Sequence, residues 1–204
     1  SDVYKRQNLN SDLDAPDYKL VIEKGVLAIK QQLEEKTRSL GSAVSRSGMD
    51  EVNACRAAIY ACDALMQLAQ NLATSAEKLA ATETNAYRKA ELSESAAILH
   101  HIPARPARSF KEACQAFYLF QLALQLDNGS YAVNPEGADK ALLAYYQHDI
   151  ANGLLTEAQA YEIVECLWFK LAELSEVRAA CTIDGYPMFD ALLHGASLEN
   201  AVIN

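Results

Sequence analysis

"PARPARSFKEACQAFYLFQLALQLDNGSYAVNPEGADKALLAYYQHDIANGLLTEAQAYEIVECLWFKLAEL", residues 103–174, holds most of what this chain says about its fold. Pro103 and Pro106 bias their predecessors away from helical angles and end whatever precedes them. Ser109-Phe110-Lys111-Glu112 then forms a capping box, in which the serine oxygen accepts from the amide three residues on and the glutamate reaches back. It predicts a helix to about Leu126, with Phe110, Ala113, Phe117, Phe120 and Leu124 on one face. A second helix is expected from about Ala138 to Asn152, stopping at Gly153, a residue suited to the left-handed C′ position. Thr156-Glu157-Ala158-Gln159 is another capping box, opening a helix to about Glu176 whose inner face should hold Ile163, Leu167, Trp168 and Leu171. Between the first two helices lies "LDNGSYAVNPEGADK", residues 126–140, which is small, polar and bend-forming throughout. A helix-to-helix joint usually needs only about 2 to 8 residues, so this one is expected to do more than turn the chain.

Upstream, helical periodicity runs from Asp17 to about Leu40, with Ala15-Pro16 as the break before it and Gly25 as a weak point inside it. Gly41 to Gly48 is serine-rich and reads as a loop. A region dense in Ala, Leu and Glu follows from Asp50, a candidate N-cap, to Leu99; its length predicts two helices parted near Thr82 to Asn85. Downstream, Thr182 to Gly195 has some strand character, and Met188 to Leu193 fits a short buried strand. The first seven residues, SDVYKRQ, fit no pattern. DVYKRQ is what the end of a common transposase-derived sequencing adaptor encodes in one frame, so residues 1–7 are read as a non-biological scar outside the fold, and the natural N-terminus as missing.

Half of the 204 residues are hydrophobic, enough for a real core. The net charge of −9, with no run of Lys and Arg longer than a pair, disfavours nucleic acid and anionic membranes as partners. No apolar run approaches the ~20 residues of a bilayer span, and the N-terminus lacks signal-peptide order, so the chain is read as cytoplasmic. Cys55, Cys62, Cys114, Cys166 and Cys181 show no C-x-x-C spacing and read as small buried hydrophobes rather than a disulfide or zinc framework. A di-iron helical bundle needs Glu-x-x-His, which is absent; a calcium loop needs oxygen ligands where Ala132 and Val133 stand. No bound metal is expected. His100-His101 falls at a helix end, where exposed carbonyls favour a cation, and His148-Asp149 near a C-terminal turn is read the same way. His194 is open between packing and facing a cavity. Tyr145-Tyr146 and Trp168-Phe169 read as core or interface aromatics. From chemistry alone, the result is a helical domain with one unexplained polar loop.

The ordered pieces resemble a family. Pro103, Pro106, Phe110, Glu112, Ala113, Asn128, Gly129, Asp139, Tyr145, Tyr146, Asp149, Ile150, Gly153, Leu155, Thr156, Leu167, Trp168 and Lys170 follow the pattern of the pyruvate formate-lyase-like domain of glycyl radical enzymes. "PDYKLVIEKGVLAI" from Pro16, "AATETNAYRKAEL" and "GYPMFDALLHG" resemble further parts of it, so that the likeness covers nearly everything from Asp14 to Gly195. It implies a mainly helical chain: part of the helical shell, and the first strand or strands, of a ten-stranded α/β barrel. Within such a barrel a glycyl radical, installed by a radical S-adenosylmethionine activase, passes to a cysteine thiyl that abstracts hydrogen from a small-molecule substrate in an anaerobic cytoplasm. Neither the family's cysteine loop nor its radical-glycine motif is present, so residues 8–204 are expected to be a partial domain, inactive alone and a homodimer when full length.

The resemblance also gives the polar loop a purpose. In polyol-dehydrating members Asn-Gly is followed by His-Ser, which reach substrate; here Asn128 and Gly129 are followed by Ser130 and Tyr131. These four are the substrate-binding candidates, and no catalytic residue is expected in the chain. The imidazole is lost, and Glu136-Gly137-Ala138-Asp139 lacks the arginine of the family's Gly-Arg-x-Asp, which argues for a different substrate arrangement. Two readings compete with this: an Asx-type turn and cap around Asp139, and, for the whole chain, a stand-alone helical interaction domain without catalysis.

Overall fold

The computed structural model describes residues 16–41, 46–128 and 137–181. Among the described residues it contains seven helices and no strand. They are α1 (Tyr18–Lys24), α2 (Val26–Leu40), α3 (Arg46–Thr82), α4 (Ala86–His101), α5 (Phe110–Asn128), α6 (Ala138–Ala151) and α7 (Glu157–Cys181). They group into two units, Leu20–Arg108 and Ser109–Asn204 with the residues up to Lys19. The strand expected at Met188 to Leu193, and His194, lie outside the described residues.

The unit Leu20–Arg108 is built on α3, which packs against both α2 and α4. The buried positions of α3 are Val52, Cys55, Leu65, Ala69, Ala73, Ala76 and Ala80. From Ala69 the spacing alternates four and three, the stagger of a coiled-coil seam, and four alanines there permit the close approach of a neighbouring helix. Chain reversal falls where composition predicts: α3 ends at Thr82, and the Asn85 side chain caps α4 by accepting from the amides of Tyr87 (3.0 Å) and Arg88 (3.2 Å). At the other end the expectation is corrected. α3 starts at Arg46 rather than Asp50, so Gly48 is helical. Glycine costs a helix only roughly 1 kcal/mol, so Gly48 does not by itself end one.

A second correction concerns Asp17 to Leu40, which is not one helix. Gly25, at φ 74° and ψ 150°, divides α1 from α2. The cause is the segment after α4. The amides of Val26 and Leu27 donate to the carbonyls of Pro103 (2.8 Å) and Ala104 (3.0 Å), while the amide of Ala107 donates to the carbonyl of Ile22 (3.0 Å). Two of the four amides that α2 would otherwise leave unpaired are thus satisfied by another stretch of backbone. Gly25 sits directly under it: a Cβ there would lie 2.6 Å from the carbonyl carbon of Arg105 and 2.7 Å from the oxygen of Ala104. Only glycine meets both the dihedral and the approach. His100 and His101 stand in the last turn of α4 as expected. Their rings reach outward rather than to terminal carbonyls: His100 bridges Gln70 and Glu77 of α3 at 3.0 and 2.8 Å, and His101 donates to the Pro106 carbonyl at 2.8 Å.

In the unit Ser109–Asn204, α5 packs against α6 and α7. Phe110, Ala113, Cys114, Ala116, Phe117 and Leu119 are buried, so α5 is enclosed on more than one face. Tyr18, grouped with this unit, lays its ring against Phe117 and Phe120 with centroids 4.5 and 5.7 Å apart. Its hydroxyl donates to Gln121 Oε1, which supplies the partner a buried phenol needs. The Thr156 capping box is reciprocal, the Thr156 amide donating to Gln159 Oε1 (3.0 Å) and the Gln159 amide to Thr156 Oγ1 (3.3 Å). α7 buries Ala160 and Leu174, with Ile163, Leu167 and Leu171 half-buried between them. Trp168 is the exception to the expected inner face: 47% exposed, it lies about 100° around the helix from Leu167, and Phe169 beyond it is 71% exposed.

Candidate functional site

The polar joint is bounded by the end of α5 at Asn128 and the start of α6 at Ala138, with Gly137 left-handed (φ 75°) at the N-cap. Of the four substrate-binding candidates, Asn128 is the last residue of α5. Gly129, Ser130 and Tyr131 lie outside the described residues, as do residues 132–136. What the described residues define is the frame from which the joint is hung, namely the pair α5 and α6.

That frame is closed at its far end by Asp149. The side chain is buried, and Oδ2 accepts from the Phe110 amide at 2.7 Å, so that a carboxylate on α6 caps the first turn of α5. A negative charge against the amide-rich end of a helix is favourable, and a hydrogen bond to a charged group contributes about 1.5–3 kcal/mol. Oδ1 accepts from Nδ1 of the exposed His148 ring at 3.0 Å. The Asp149 carbonyl accepts from the amides of Leu154 (2.9 Å) and Leu155 (3.3 Å), which shapes the turn into α7. Phe110 in turn meets Tyr146 edge-on at 5.8 Å, an aromatic contact of the expected kind. The Ser109 capping box contributes a bond from the Glu112 amide to Ser109 Oγ at 3.2 Å, and the Glu112 side chain is buried.

Reading His148-Asp149 as an ordinary helix end missed this role. A signal was present: an aspartate in the last turn of its own helix opposes the helix dipole, so its purpose lies with a different helix. Cysteine behaviour is mixed. Cys55 and Cys114 are buried as expected, and burial pushes the Cys114 thiol up to about 12. Cys62 is half-buried and also raised, first by burial and then by Asp63. Cys166 is exposed, contrary to the buried reading, because it lies off the Ala160–Leu174 seam. The side chain of Cys181 lies outside the described residues. On α7, Lys170 pairs with Glu173 at 2.6 Å, a bond that raises its pKa, and burial raises that of Tyr118. Among the described residues, no three His, Cys, Asp or Glu side chains converge as metal ligands, and no helix is long and apolar enough to cross a membrane.

The family model described as pyruvate formate lyase-like matches residues 14–199. The chain is 30% identical over 184 residues to an isethionate sulfite-lyase of Desulfovibrio desulfuricans, covering 88% of this chain and 22% of that protein. Two solved structures are similar at 27% identity and a TM-score of 0.71. They are a glycerol-bound B12-independent glycerol dehydratase from Clostridium butyricum, covering 78% of this chain and 20% of that one, and a glycyl radical enzyme from Archaeoglobus fulgidus, covering 77% and 20%. The chain therefore spans about a fifth of the length of the proteins it matches.

Proposed function

The chain belongs to the pyruvate formate lyase-like family, and from that premise we propose that it is part of a glycyl radical lyase or dehydratase acting on a small organic substrate. The observation that carries this reading is the family match running from residue 14 to residue 199. In such an enzyme a glycyl radical, installed by a radical S-adenosylmethionine activase, supplies the thiyl that takes hydrogen from substrate. We assign the thiyl cysteine and the radical glycine to sequence outside this chain. The cysteines described here support that assignment: Cys55 and Cys114 are closed into helices, and Cys62 and Cys166 stand mid-helix rather than on a loop. Under this reading residues 8–204 are one piece of the domain, residues 1–7 are foreign to it, and the piece alone is inactive. The whole protein is then a cytoplasmic homodimer.

Within that enzyme we assign substrate contact to Asn128, Gly129, Ser130 and Tyr131. The support is that Asn128 ends α5, a helix whose other end is anchored by Asp149, and that the other three follow it directly in sequence. Ser130 and Tyr131 bring hydroxyls where polyol-dehydrating members bring imidazole and hydroxyl, which favours a substrate needing hydrogen-bond partners without a basic ring.

The test is to extend the reading frame in the source DNA and express the whole protein anaerobically with an activase. The expected results are an in-frame cysteine loop, an in-frame glycine motif and the glycyl radical doublet by electron paramagnetic resonance. A stop codon directly after Asn204 in clean sequence overturns the proposal. In the active protein, Ser130→Ala and Tyr131→Phe should each raise KM, and an unchanged KM in both removes the site assignment while leaving the family reading intact.

A further inference from the structure

We draw no further inference here: the strongest candidate, the exposed apolar face that Tyr161, Trp168 and Phe169 present on α7, carries nothing because nothing in the structure shows what covers it.

Discussion

Replacing Gly25 by alanine isolates the contact that divides α1 from α2. Two penalties add. A backbone held at φ 74° and ψ 150° costs a residue with a Cβ about 1–3 kcal/mol. The new methyl also meets backbone, not a side chain that can swing away: Arg105 Cα and the Ala104 oxygen each lie 2.7 Å from it. Restoring ordinary spacing moves the 102–107 segment by about 1 Å, which forfeits dispersion contacts and stretches the three bonds from Val26, Leu27 and Ala107, each contributing about 1 kcal/mol net. The expected loss is about 3–6 kcal/mol, a large share of the roughly 5–15 kcal/mol that holds a domain folded. Gly41→Ala is the matched control. Gly41 has a similarly glycine-only backbone (φ 58°, ψ −144°) but nothing within 4 Å of a Cβ, so only the dihedral penalty of about 1–3 kcal/mol applies. Urea titrations followed by circular dichroism should place the midpoint of Gly25→Ala well below that of Gly41→Ala, and hydrogen exchange should quicken at the Val26, Leu27 and Ala107 amides. Equal midpoints, with exchange at those three amides unchanged, would refute the reasoning.

Asp149→Ala should lower stability by about 2–3 kcal/mol, because the Phe110 amide is left buried and unpaired, whereas Asp149→Asn keeps an acceptor and should cost less; urea midpoints of the two variants separate these outcomes. Thr156→Ala should cost about 1 kcal/mol through loss of the α7 cap, measured by the same titration. Cys114 predicts a pH dependence. Above its ordinary value of 9.0 an unfolded thiol gives up its proton, while the folded one keeps it up to about 12, so stability falls as pH rises across that window and is unaffected below it. The decline in urea midpoint from pH 8 to pH 10.5 should be shallower in Cys114→Ala than in the parent. With a maleimide at pH 8, Cys166 should label in the folded chain and Cys114 only after denaturation.

Local chemistry was the legible part of this sequence. The break near Asn85, the Thr156–Gln159 box and the stop at Gly153 could be read from residues within one turn, because a helix end is satisfied by nearby side chains. The misreadings came from partners distant along the chain. The break at Gly25 depends on Pro103 and Ala104, and the role of Asp149 depends on Phe110, 39 residues earlier. Trp168, expected on the inner face with Leu167, is turned away from it by helical rotation. Of the candidate site, the sequence supplied the unusual length and composition of the joint and the family to which the chain belongs. Periodicity cannot carry Ser130 and Tyr131 further, since a polar loop has no repeating face from which to infer direction.

The strap over Gly25 also bears on which positions of this chain are free to drift. Its bonds to α1 and α2 are made wholly by peptide groups, so exposed Arg105 and half-exposed Ala104 contribute no side chain to the recognition, while the residue beneath them must have none. A saturation library should accept broad variation at 104 and 105 yet return almost nothing but the wild-type codon at 25. A residue with no side chain would then look as intolerant as a functional one, for reasons of architecture alone.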